Sequence, residues 1–205
     1  MRPNLDFVEA YYFFETVERG LEYRWCLGEC QDDVRYRLAN VLHTESIQRC
    51  YHRVILDAPP RFTLGFINGF CAATHLFVPT LVDKVSVDAV EFFARQFARL
   101  RPALNPALRL KGVIGTVNDG NPQFTLPEVY SNIADDIDAK LDAITGERQH
   151  WFMRKAVVTR RAPVARAAES GIPYLVKQDA CEMYDNLASV IADMARSPNY
   201  AGTGT

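Results

Sequence analysis

The run Val54-Ile55-Leu56-Asp57-Ala58-Pro59-Pro60 constrains this chain more than any other stretch. Three consecutive apolar residues, two of them branched at Cβ, suit a strand buried on both faces of a sheet. Pro59 and Pro60 cannot donate to a ladder and so end it. This predicts a central strand over Arg53 to Asp57, with Asp57 at the carboxyl edge of the sheet. Ligands of open α/β sheets bind at that edge. A carboxylate there can hold magnesium directly or through water, or simply cap the turn.

The rest of the chain alternates between two periodicities. Short apolar runs predict strands at Asn4 to Val8, His75 to Val78 (stopped by Pro79), Leu110 to Val117 and Lys155 to Val158. Helical spacing predicts helices over Thr16 to Trp25, Asp32 to Arg49, Phe62 to Ala73, Val85 to Leu100 and Leu126 to Ile144. Two more are predicted at Ala162 to Ser170 and Asp179 to Arg196. The clearest is Val85 to Leu100, with Val87, Val90, Phe93, Phe97 and Leu100 on one face. Gly146 suits a helix C-cap, and Asn118 to Pro122 is a turn cluster. Strands that alternate with helices and read as unbroken apolar runs predict an α/β fold. Its sheet is mostly parallel, in three layers with helices on both faces.

A length of 205 residues with 48% hydrophobic content supports one sizeable core. The expected organisation is a single domain over 1–196 and a tail over 197–205. A formal net charge of -2 predicts no strong attraction to nucleic acid or anionic membrane from total charge, although a local patch can still act. No apolar stretch approaches the ~18 residues of a membrane span, and residues 1 to 6 hold no signal-peptide core. Five scattered cysteines, an odd number, read as reduced thiols of a cytoplasmic protein.

The segment Tyr51-His52-Arg53-Val54-Ile55-Leu56-Asp57-Ala58-Pro59-Pro60 resembles the Walker B strand of the ParA/MinD family of P-loop ATPases. Leu64 to Phe70 looks like the family helix that follows. Ala72 to Pro79 looks like its small-residue turn, strand and proline. Leu110 to Asn118 looks like the strand leading to the adenine site, and Val158-Thr159-Arg160-Arg161, with Arg166-Ala167 and Gly171-Ile172-Pro173, like the later base-lining segment. Order and spacing match over residues 5 to about 192. The resemblance implies ATP and Mg2+ as cofactors. It implies Asp57 as the magnesium contact through water, and Asp57 to Pro60 as the loop sensing the terminal phosphate. Asn118 is implied as the adenine partner, with Thr159 and Arg160 lining the base; Thr159 stands where the family usually has proline. It further implies a homodimer, a partner protein that stimulates hydrolysis, nonspecific DNA as a candidate partner, and a role in DNA or plasmid partition or cargo positioning.

The phosphate loop of that family, Gly-x-x-x-x-Gly-Lys-Ser/Thr, has no counterpart, since no Gly-Lys dipeptide occurs in the chain. The segment carrying the family's catalytic Asp is missing too, so no catalytic residue is assigned. Two readings follow: a piece of a longer ATPase, which the opening on a strand favours, or a pseudo-ATPase scaffold that binds a protein partner without nucleotide. In either case ATP hydrolysis is expected to be weak or absent, and the uncovered sheet is expected to drive association.

Three other constellations are weaker. Cys26, Cys30 and His43 begin like a zinc finger but lack a closing ligand at the right spacing. Arg154, Lys155, Arg160, Arg161 and Arg166 form a basic cluster that suits DNA phosphates or, more simply, a solvated face or an acidic partner. His75 and the aromatic run Tyr11 to Phe14 read as packing residues.

Overall fold

The computed structural model describes residues 6–9, 13–59, 61–117 and 126–159, together with 185, 188, 189 and 192. The chain divides into two compact units, one ending at Ala73 and the other beginning at Thr74.

The first unit is helical. Helix α1 (Phe14–Cys26) matches the helix read from the sequence. The single helix expected over Asp32 to Arg49 is instead three pieces: a 3-10 turn (Val34–Tyr36), α2 (Arg37–Leu42) and α3 (Glu45–Cys50). The break is local chemistry. Thr44 is extended (φ -68°, ψ 146°) and its hydroxyl donates to the Val41 carbonyl at 2.8 Å. A threonine hydroxyl thereby takes over a bond that the next helical turn would have made.

Helix α4 (Leu64–Ala72) buries Leu64, Phe66, Phe70 and Cys71. Asn68 joins α4 to the earlier pieces. Its amide nitrogen donates to the Val34 and Leu64 carbonyls at 2.9 and 3.0 Å, and its oxygen accepts from the Leu38 amide at 3.1 Å. Three of the four hydrogen bonds an Asn side chain can make are therefore filled, and Val34 is fully buried beside it.

The second unit is α/β. Strand β1 (His75–Leu81) leads through α5 (Lys84–Leu104) to β2 (Arg109–Val117). A 3-10 turn (Glu128–Tyr130) and α6 (Ser131–Thr145) then lead to β3 (Val158–Thr159). The sheet order is β1-β2-β3 and both pairings are parallel. The α/β class with a parallel sheet therefore stands as read.

β1 continues through Pro79, which was expected to stop it. The Val82 amide donates to the Thr116 carbonyl at 3.1 Å. Strand alternation then turns the Pro79 nitrogen away from β2, so no bond of that ladder is lost.

Helix α5 opens with Asp83, whose carboxylate accepts from the Ser86 amide at 2.7 Å. It buries Val87, Val90, Ala94 and Phe97, and runs past Pro102, which sits in its last turn. Helix α6 ends on Gly146 at φ 75°, a left-handed position that glycine takes without steric cost.

Before β3, residues 151–153 already run beside β2. The Val113 amide donates to the Trp151 carbonyl at 2.8 Å, and the Met153 amide to the Val113 carbonyl at 2.9 Å. This approach is close. A Cβ at Gly112 would stand 2.8 Å from the Trp151 carbonyl oxygen, and one at Gly115 would overlap the Phe152 ring and stand 2.8 Å from Val82 Cγ2.

Candidate functional site

Because all three strands are parallel, their carboxyl ends share one edge. The register sets Leu81 beside Thr116 and Thr116 beside Val158, and pairs Val117 with Thr159. The chain leaves this edge at Val82-Asp83 into α5, and Val117 and Thr159 are the last described residues of β2 and β3. Asp83 is committed as the α5 cap, and the Ser86 amide holds its carboxyl below the ordinary carboxylate range. His75 lies at the opposite, amino end of β1, bonded through Nδ1 to Thr74 Oγ1 at 2.8 Å. Burial, then the Lys111 and Arg109 cations, push its pKa down. It is a packing residue, as the sequence suggested.

Of the residues singled out for nucleotide and metal, Asp57 and Thr159 are among those described. Pro60, Asn118 and Arg160 lie outside the described residues. Thr159 closes β3 and pairs with Val117, the residue immediately before Asn118 in the chain. Asp57 belongs to the first unit and is exposed.

The strand expected over Arg53 to Asp57 is not formed. Residues 53–59 carry no regular structure, and Ile55 is 91% exposed. A strand exists only through its ladder, and among the described residues no strand pairs with this run. Residues 6–8, expected to end an opening strand, are likewise without regular structure.

The basic cluster resolves in part. Arg154 is committed to α6: Nη1 donates to Asp138 Oδ2 at 2.7 Å and Nη2 to Asp135 Oδ1 at 2.6 Å. Burial opposes the charge of Arg154, but Asp138 and Asp135 outweigh it and hold the guanidinium above its ordinary pKa. Arg160, Arg161 and Arg166 lie outside the described residues.

Asp138 also accepts from the buried Phe152 amide at 2.7 Å, and Asp142 from the Trp151 indole N–H at 2.8 Å. Asp135, Asp138 and Asp142 thus form a carboxylate stripe on one face of α6 that clamps residues 149–154 next to β2. Their spacing of three and four was a visible sign of this role.

The zinc-like pattern does not assemble. His43 Nε2 is hydrogen-bonded to the Ala72 carbonyl at 3.0 Å, and among the described residues no three His, Cys, Asp or Glu side chains gather as a metal site. Among the same residues, no helix is long and apolar enough to cross a membrane.

Known proteins similar to the chain share one theme. It is 26% identical to the cell division protein PomZ of Myxococcus xanthus over 191 residues, 92% of this chain and 52% of PomZ. It is 31% identical to the chromosome-partitioning ATPase Soj of Thermus thermophilus over 121 residues, 59% of this chain and 43% of Soj. It is 27% identical to the chromosome partitioning protein ParA of Caulobacter vibrioides over 146 residues, 71% of this chain and 50% of ParA. The chain spans about half the length of the curated relatives it matches. No family model matches it.

Proposed function

From the kinship of this chain with the ParA-like partition ATPases, we propose that it is the later part of an ATP-binding switch of the partition type. The observation that carries this reading is the ladder pairing of Val117 with Thr159. The residues that follow them in sequence are Asn118 and Arg160, so the two base-site candidates each come one residue after a paired position. Asn118 offers adenine a donor and an acceptor together; Thr159 and Arg160 are the candidates for lining the base, and Asp57 and Pro60 those for magnesium and the terminal phosphate. Mg2+, when bound, would neutralise phosphate charge; in this chain Asp57 is the carboxylate that would hold it through water.

The switch acts in chromosome or plasmid partition, or in cargo positioning. It works as a cytoplasmic homodimer, with a protein partner that raises its weak hydrolysis and with nonspecific DNA held through phosphates. Titration of the chain with ATP, with and without Mg2+, tests this. Magnesium-dependent binding that is lost in Asp57→Ala supports it. No binding at about millimolar ATP overturns it in favour of a nucleotide-free scaffold for a protein partner, a reading that the exposed Val54-Ile55 run also suits.

A further inference from the structure

Helix α1 is held to its unit in an unusual way. None of its side chains is fully buried; Phe14, Val17 and Tyr23 are exposed, and Trp25 lies at the margin of α1 with the Arg35 guanidinium 5.5 Å from its ring centroid. The face it turns inward is Glu18, Leu21 and Glu22, each half-buried at helical spacing. Two of these three are carboxylates, and both end on the first turn of α4. Glu18 Oε1 accepts from the Gly65 amide, and Glu22 Oε1 from the Leu64 amide at 3.3 Å. The free N–H groups and positive end of a helix favour negative charge at that place. Here a neighbouring helix supplies the charge.

Gly65 belongs to the same seat. A Cβ there would stand 2.9 Å from Glu18 Oε1 and 3.1 Å from the Phe14 ring, so the absent side chain is what lets α1 approach. By contrast, the Leu38 amide is held by Asn68, not by a side chain of α1.

We propose that α1 is a releasable strap, latched onto the first turn of α4 by Glu18 and Glu22 and able to leave while the rest of its unit stays folded. The latch closes on the first residues of α4, the element that follows Asp57 in the chain. A helix of this length is marginal in water by itself; unlatched, α1 loses its helix as a unit. The inference does not rest on the nucleotide reading, because the latch is made by Glu18, Glu22, Leu64 and Gly65 alone.

Hydrogen exchange by mass spectrometry on the full chain tests it, alongside brief trypsin digestion read at Arg19 and Arg24. In the double variant Glu18→Ala/Glu22→Ala, exchange in α1 and at Leu64 and Gly65 should rise at least about tenfold, with faster cleavage at both arginines. Gly65→Ala keeps both charges and favours the α4 helix, yet displaces the Glu18 carboxylate; it should loosen the same segment several-fold. Protection at Leu38 should hold in both variants. Unchanged protection of α1 in both, or loss that spreads to Leu38, overturns the proposal.

Discussion

Replacing Asp138 by alanine tests how the second unit is closed. The Asp138 side chain is 12% exposed and fills two bonds, from the buried Phe152 amide and from Arg154 Nη1, both at 2.7 Å. Removing it leaves the Phe152 N–H without a partner in a place water does not reach, which costs about 1–3 kcal/mol. Arg154 suffers less. It keeps Asp135 at 2.6 Å and its side chain is 31% exposed, so its share is about 1 kcal/mol or below. The sum is roughly 1–4 kcal/mol. At a urea slope of about 2 kcal/mol per molar, the unfolding midpoint should fall by about 0.5–2 M.

Asp138→Asn separates the two parts. It keeps an oxygen for the Phe152 amide and removes only the charge, so its midpoint should fall by about half as much or less. Urea melts followed by tryptophan fluorescence report directly, because Trp151 is bonded to Asp142 in the same clamp. An Asp138→Ala midpoint within about 0.3 M of wild type would refute the clamp. So would equal losses in the two variants, since they would leave nothing for the buried amide.

Two glycines should respond in opposite directions. Gly115→Ala drives a Cβ into the Phe152 ring and should destabilise by about 1–3 kcal/mol. Gly69→Ala, in α4 with nothing within 4 Å of the new carbon, should stabilise by about 0.5–1 kcal/mol; urea midpoints check both. The pKa of His75 is lowered from 6.5 by burial and by Lys111 and Arg109. Its contribution is therefore whole above about pH 6.5 and is lost as pH falls from there toward the lowered value. His75→Gln should flatten the fall in urea midpoint between about pH 7.5 and about pH 5.5, and an unchanged slope would count against this assignment.

Among the described residues, local rules read most of the helices correctly; those expected at Ala162 to Ser170 and Asp179 to Arg196 lie outside the described residues, apart from 185, 188, 189 and 192. The stripe Val87, Val90 and Phe97 is buried as its spacing implied, and Gly146 takes the left-handed conformation expected of a C-cap. The strand Leu110 to Val117 was visible because it is rich in Val and Ile and is followed by a turn cluster. Failures came where a distant partner decides. Val54 to Leu56 has the composition of a strand, but composition supplies no ladder, and the run carries no regular structure. Thr44 is instead a local failure: its hydroxyl bond to the Val41 carbonyl breaks a helix that periodicity would have continued. In the candidate site, Asp57 was read from a strand end that is not formed, and Thr159 is named only by the family resemblance. The pairing of Val117 with Thr159 is a long-range register that no local pattern contains. Arg154 looked like part of a surface cluster because its counter-charges, Asp135 and Asp138, are on another element.

Pro79 has a consequence for any chain that comes to lie against β1. On the side away from β2, alternation leaves Phe77 and Leu81 as donors with the proline between them. A visiting strand meets two usable N–H groups about 13 Å apart and a gap at the midpoint. It must leave one carbonyl unanswered, at about 1–3 kcal/mol if that carbonyl is buried, or bulge around it. The edge is thus keyed: it tolerates one alignment and handicaps promiscuous stacking of copies, a safeguard built from a single missing hydrogen.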